Sequence, residues 1–192
     1  MITILFAHPK HNSMNGKILE AVQNDCKELG VDYTVIDLYK DGFSPVLTAE
    51  ELDLFYKGVA LDPLVKQYQD ILLKTDKLIS IFPIWYNECP AIYKGFFERV
   101  CLGNFAFEYT PDGVRPKLTN IKKALILTTS NAPMDVLKQF QGNMIENQVI
   151  NHMMKGMGVQ DNKWLDFGGM QEADDEQKNT FLHSLMQEIA NM

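Results

Sequence analysis

The sequence predicts an α/β domain, an open five-stranded parallel sheet with helices on both faces. Three observations predict it. Short apolar runs recur along the chain, with longer segments of helical periodicity between them. The apolar runs are continuous rather than alternating, as in strands covered on both sides. The length of 192 residues suits one domain, so residues 1–192 read as a single unit.

The elements follow in order. Ile2–Ala7 is apolar but for Thr3; it is brief and no basic residue precedes it, so it reads as a strand rather than a signal peptide. Asn15–Leu29 carries Ile18, Leu19, Val22, Cys26 and Leu29 on one helical face and stops at Gly30. Tyr33–Asp37 is a β-branched second strand. Leu64–Lys74 is helical, with Leu64, Val65, Tyr68, Ile71 and Leu72 apolar, and Leu78–Phe82 is the third strand. Pro90–Val100 opens with proline in a first helical turn. Ala124–Thr129 is the fourth strand, and Ile145–Met157 a helix with Ile145, Val149, Ile150, Met153 and Met157 along its face. Trp164–Phe167 is a weaker fifth strand, and Glu172–Ala190 closes the chain as a helix bearing Phe181, Leu182, Leu185 and Ile189. Five strands joined by right-handed crossovers favour the order 2-1-3-4-5 over a six-stranded Rossmann sheet. Two connections, 40–60 and 103–120, exceed what the scaffold needs, and loops of that length are often functional. The second holds Pro111-Asp112-Gly113, a turn signature.

Composition removes several classes. The net charge is −7 and lacks the basic surplus of a nucleic-acid binder; Lys117, Lys122 and Lys123 form only a local group. No window approaches the ~18 apolar residues of a membrane helix. Cys26, Cys89 and Cys101 are odd in number and lack metal-type spacing, which suits free thiols and a cytoplasmic location. Met144, Met153, Met154 and Met157 read as fillers of a core or a subunit interface. His8 and His11 have no HExxH pattern or carboxylate cluster beside them, so no metal is expected. Ser13 lies outside any GxSxG elbow, and His152 and His183 fall on helices as surface or interface residues. GxGxxG and GxxxxGK[ST] are both absent, which removes the main support for Rossmann dinucleotide binding and P-loop hydrolysis.

In such sheets, ligands sit beyond the carboxyl ends of the strands, near the switch in strand order. That rule selects the loops His8–Gly16, Pro83–Glu88 and Ser130–Pro133. In the first, Ser13, Asn15 and backbone N–H groups stand ready to meet a phosphate at a helix start; the plainer alternative makes Ser13 or Asn15 only an N-cap. In the second, Trp85 and Tyr86 either wall a planar ring or form a core pair covering the sheet edge.

The pattern of residues across these loops is that of a known family. Ala7-His8 is followed by Ser13-x-Asn15, Asp37-Leu38-Tyr39 and Phe43-x-Pro45. Then come Phe82-Pro83, Pro90-Ala91-Ile92-x-Lys94-Gly95-x-Phe97-Glu98-Arg99-Val100, Gly103-x-Phe105-Ala106-Phe107-x-Tyr109 and Thr128-Thr129. In this order the motifs resemble the flavodoxin-like-fold NAD(P)H:quinone oxidoreductases, which include DT-diaphorase, the modulator of drug activity B and the ancillary subunits of potassium-efflux systems. The likeness spans nearly the whole chain.

The resemblance implies a flavoenzyme. Hydride would pass from NAD(P)H through flavin N5 to a quinone or similar electron-poor aromatic, donor and acceptor using one pocket in turn, in ping-pong order. It implies that His8, Ser13, Asn15 and Gly16 hold the ribityl-phosphate side of the flavin. Pro83, Ile84, Trp85, Tyr86 and Asn87 would line the isoalloxazine, and Thr128, Thr129, Ser130 and Asn131 its pyrimidine edge. Phe107 and Tyr109 match aromatics that close the partner's pocket in family homodimers, with a role in the monomer core as the alternative. FMN is favoured by the compact chain, with FAD as the alternative. No catalytic side chain is assigned, because the cofactor carries the chemistry. The family's Gly-Gly after Thr-Thr is Ser130-Asn131 here, and 132–147 holds none of the Tyr and His that assist charge changes on the reduced flavin. Backbone N–H groups near Ser130 and Asn131 would take that part. Two other classes stay open: a regulatory ancillary subunit of a potassium-efflux transporter, and a flavodoxin-type electron carrier.

Overall fold

Ile2–Phe6 (β1) forms a strand because its side chains divide cleanly between two apolar environments. Ile2, Ile4 and Phe6 enter one core and Leu5 the other. Lys77–Pro83 (β3) and Lys123–Thr129 (β6) repeat the division, Ile79, Ile81, Leu125 and Leu127 on the first side and Leu78, Phe82, Ala124 and Ile126 on the second. With Tyr33–Asp37 (β2) and Asp161–Phe167 (β7) they make one parallel sheet ordered β2-β1-β3-β6-β7, in a computed structural model that describes residues 1–192. This is the expected order, with the expected fourth and fifth strands as β6 and β7.

Helices Met14–Glu28 (α1) and Asp175–Ala190 (α7) cover the first face. Pro63–Leu73 (α3), Ala91–Val100 (α4) and the segment 145–157 cover the second. The expected helices and strands lie within three residues of these bounds. Cys26, Cys89 and Cys101 are buried free thiols, all held above their ordinary pKa by burial, Cys26 at about 11 and Cys89 at about 12. Met154 and Met157 are core residues. No helix is long and apolar enough to cross a membrane.

Two departures matter for function. The long connections are not plain loops. The first contains the helix Ala49–Leu54 (α2) and a 3₁₀ turn at Phe55–Lys57. Thr48 starts α2 with a capping box: its hydroxyl accepts the Glu51 N–H at 3.2 Å, and the Glu51 carboxylate accepts the Thr48 N–H at 2.9 Å. The second contains an antiparallel hairpin, Phe107–Thr110 (β4) and Gly113–Pro116 (β5), turning at Pro111-Asp112. These pieces are too short and too exposed to give a periodic signal. The other departure is 145–157. Its first ten residues, Ile145–Met154, are π-helical, followed by one α turn, Lys155–Met157 (α6). The buried positions explain it: Ile145, then Val149 and Ile150, then Met154 recur every four or five residues, the wider period of i→i+5 bonding. Helix Met134–Gln139 (α5) precedes it.

One side chain fastens the first connection to the domain. Arg99 of α4, 5% exposed, donates Nε to both Glu51 carboxylate oxygens at 3.1 Å, Nη2 to Glu51 and to Asp62, and Nη1 to the Ser44 carbonyl at 2.6 Å. Beside it, Pro45 lies so close to Gly95 that a Cβ there would come within 2.4 Å.

Candidate functional site

The rim of the site is built at the carboxyl ends of β1, β3 and β6. The first loop folds back on the start of α1, and only glycine permits it: a Cβ on Gly16 would lie 1.8 Å from the His11 carbonyl oxygen. Ser13 is the N-cap, its hydroxyl accepting the Gly16 N–H at 3.2 Å and donating to the Lys10 carbonyl at 2.6 Å. The backbone N–H groups of Asn12, Met14 and Asn15 make no hydrogen bond within the protein. Three unused donors beside a helix N-terminus form an anion cradle. His8 Nδ1 lies 3.0 Å from the Lys10 N–H, the Lys10 carbonyl and the Ser13 hydroxyl, which fixes the ring within the loop. Burial, with smaller contributions from the Lys10 and His11 charges, outweighs the backbone contact with Lys10 and holds His8 below its ordinary pKa. His11 turns the other way and meets the Asp37 carboxylate at 2.8 Å, so the two histidines do not share a site.

The second loop leaves β3 as a tight turn. Trp85 and Glu88 exchange both backbone hydrogen bonds at 3.0 Å, while Tyr86 and Asn87 take left-handed φ values of 51° and 64°. Positive φ at both central positions is the geometry of a type I′ turn. It sets Tyr86 wholly in solvent and leaves Trp85 substantially exposed. The pair therefore does not cover the sheet edge as core. Asn87 ties this turn to the Gln141 carbonyl, and its φ departs from what most residues adopt.

The loops meet. The Asn15 amide donates to Thr129 Oγ1 at 2.7 Å, and the Ile84 N–H donates to the Thr129 carbonyl at 2.8 Å. The His8 and Trp85 rings lie 5.9 Å apart. Pro83 is buried at the end of β3. Thr128 sits differently from the others. Its hydroxyl is committed inside, accepting from Trp164 Nε1 at 2.8 Å and donating to Asp166 at 2.6 Å. Backbone N–H groups of Tyr86, Asn87, Asn131 and Ala132 make no hydrogen bond within the protein.

Phe107 and Tyr109 are not on this rim. With Leu52, Phe55, Tyr56 and Phe97 they wall a mostly apolar cavity of 690 Å³ between the hairpin, the first connection and α4. Their rings pack edge-on at 5.6 Å, and Tyr109 also meets Tyr56. His152 and Met153 of the π-helix line the same cavity. No local pattern marked Tyr56 as part of it. The sequence also offered no direct hint of Asp166, although a polar residue opposite Thr128 in the register of β6 and β7 was a usable signal.

The sheet order and the ligand-ready strand ends together define the class. A family model described as flavodoxin-like fold matches residues 1–189, and the chain belongs to that family. It is 28% identical over 181 residues to a protein of Haemophilus influenzae named an uncharacterized NAD(P)H oxidoreductase, covering 93% of this chain and 89% of that one. It is 30% identical over 166 residues to the FMN-dependent NADH:quinone oxidoreductase of Coprothermobacter proteolyticus, covering 81% of this chain and 79% of the relative. The solved NAD(P)H:quinone oxidoreductase from Methanothermobacter marburgensis superposes with a TM-score of 0.87 at 28% identity, over 97% of this chain and 95% of that one. Within the flavodoxin-like family the chain thus groups with the NAD(P)H oxidoreductases and is an enzyme of that kind.

Proposed function

We propose that this chain is a flavin-dependent NAD(P)H:quinone oxidoreductase, with FMN as its flavin. The observation that carries the reading is the rim itself, where polar groups without protein partners surround an exposed aromatic wall. Asn15 Oδ1 is buried and unpartnered, a state that costs about 1–3 kcal/mol unless a ligand completes it. A ribityl hydroxyl is a fitting donor. The free N–H groups of Asn12, Met14 and Asn15 suit a phosphate, and one such cradle suits the single phosphate of FMN. His8, held below its ordinary pKa, stands in the same loop as a neutral ring. Trp85 and Tyr86 supply a wall for a flat ring, and the free N–H groups of Asn131 and Ala132 suit the carbonyl edge of a pyrimidine. The residues present therefore fit the group.

When bound, the flavin supplies the two-electron chemistry, accepting hydride from NAD(P)H and passing it to the acceptor. The chain's own part is orientation. The strand-end turns grip one edge and leave a single open face, so donor and acceptor use it in succession. No side chain need form a covalent bond with either. The proposal includes a homodimer: the exposed aromatic cavity around Phe107 and Tyr109 is the surface expected to close over the partner's rim.

The test is reconstitution with FMN and with FAD, mass analysis of the released flavin, and oxidation of both nicotinamides with a panel of quinones. Uptake of FMN and parallel double-reciprocal lines are expected. Preferential retention of FAD would overturn the choice of flavin, and intersecting lines the shared face. Uptake of neither flavin would overturn the enzyme reading. A monomeric holoenzyme in sedimentation would remove the dimer.

A further inference from the structure

Asp166, near the end of β7, makes no part of the rim but holds its pyrimidine side in place. Thr128 Oγ1 lies 2.6 Å from Asp166 Oδ1, and Ser130 Oγ lies 2.6 Å from Oδ2. The turn that follows is clamped to β7 by the backbone: the Ser130 N–H donates to the Phe167 carbonyl at 3.1 Å, and the Met170 N–H to the Ser130 carbonyl at 3.0 Å. A Cβ on Gly168 would lie 2.6 Å from the Ala132 carbonyl and 3.2 Å from Asp166 Oδ2, so turn and carboxyl are packed without slack.

The protons in this network can be counted. Ser130 Oγ also lies 2.7 Å from the Ala132 carbonyl oxygen. A serine hydroxyl has one proton, and both contacts are at full hydrogen-bond length. A carbonyl never donates whereas a carboxyl can, so the one arrangement that satisfies both contacts gives the hydroxyl proton to Ala132. The contact with Asp166 Oδ2 is then satisfied only if the carboxyl carries a proton and donates it to Ser130. Thr128 is consistent: it accepts from Trp164 and spends its single proton on Oδ1.

From this geometry we infer that Asp166 is a neutral carboxylic acid in the native fold and a positioning residue for the rim, its O–H fixing Ser130 and through it the turn Ser130–Ala132. The consequence for flavin rests on the function proposed above; the protonation does not. Burial pushes this carboxyl up, against the opposing effect of the Ser130 and Thr128 hydroxyls. The other charged side chains on the elements around it are Asp161 and Lys163 of its own strand, Lys123 of β6, Asp135 and Lys138 of α5, Glu146 of the π-helix, and Glu172 and Asp174 in the loop beyond; none pairs with it. No cationic side chain therefore pairs with a carboxylate here. Ionisation would draw the Ser130 proton to Oδ2, strip the Ala132 carbonyl of its donor and place a negative charge behind the rim.

The experiment has two arms. In the apoprotein, carbon-13 NMR of the aspartate carboxyls, assigned with Asp166→Asn, follows the titration of Asp166 directly. A midpoint clearly above the ordinary aspartate range is expected; a midpoint within it overturns the inference. In the second arm, FMN dissociation constants are measured by fluorescence quenching from pH 5 to 9. The native enzyme should lose affinity about tenfold as pH rises through that midpoint. Asp166→Asn should bind with a flat profile, since its amide N–H replaces the acid O–H toward Ser130. Asp166→Ala should bind weakly at every pH. Equal pH profiles for the native enzyme and Asp166→Asn would overturn the positioning role. Failure of all three proteins to take up FMN would instead strike the proposed function, and leave the apoprotein titration to decide the protonation.

Discussion

The strand-end rim and the aromatic cavity are made by different means. The rim is a set of short turns at strand ends, joined by hydrogen bonds between Asn15 and Thr129 and between Ile84 and Thr129. The aromatic cavity is made by two long connections that lie outside the sheet, the first fastened to α4 by Arg99 and the second by backbone hydrogen bonds such as Leu118 N–H to Met157. The parallel sheet places every rim residue once its register is set. The first connection is held partly by one buried ion pair and one close glycine contact, so weakening them should disturb the cavity before the sheet.

That contrast can be broken at either place. The largest effect is expected from Arg99→Met. It leaves the Glu51 carboxylate buried without its partner, at a cost of about 3–5 kcal/mol in urea unfolding. FMN affinity per folded molecule should change little. The same pair gives an acid signature. Burial pushes Glu51 up, but the hydrogen bonds from Arg99 and from the Thr48 backbone outweigh it, and the folded value lies below the ordinary 4.5. Its stabilisation is therefore complete above the unfolded pKa and is lost as pH falls through the folded one. Denaturation midpoints followed from pH 6 to 3 should show this slope in the native protein and a weaker one in Arg99→Met.

At the rim, Gly16→Ala sets a methyl against the His11 carbonyl. It should lower stability by about 3 kcal/mol and abolish FMN uptake. Retained FMN binding would show that the first loop does not form the cradle. Tyr109→Ala is a milder cut. It should reduce kcat/KM for quinones about tenfold and leave the FMN dissociation constant unchanged. A change in FMN affinity without one in quinone turnover would reverse the assignment of the two regions. Ser13→Ala removes the helix cap and the hydrogen bond to the Lys10 carbonyl, and about 1 kcal/mol of stability should go with them in the same urea assay.

Legibility followed the same divide. Ile2–Ala7, Leu78–Phe82 and Ala124–Thr129 were readable as buried strands because continuous apolar runs have few other uses. The strand-end rule then pointed to His8, Ser13, Asn15, Trp85 and Ser130 without any knowledge of packing. The hairpin was not readable, since β4 and β5 are four residues each and mostly unburied. Neither was the π-helix, whose apolar positions Ile145, Val149 and Ile150 also satisfy an α period over so short a stretch. Thr128 was readable as a strand-end hydroxyl but not as one turned inward to Asp166.

By itself the sequence determined the sheet, its strand order and the three turns at its carboxyl edge, because local periodicity and the handedness of crossovers leave one economical arrangement. Only the tertiary structure decided that Arg99 would reach Glu51 across 48 residues, and that the Ser130 hydroxyl would lie between the Ala132 carbonyl and the Asp166 carboxyl. Such contacts join residues far apart in the chain through side-chain geometry, and no local pattern encodes the distance between atoms that meet only after folding.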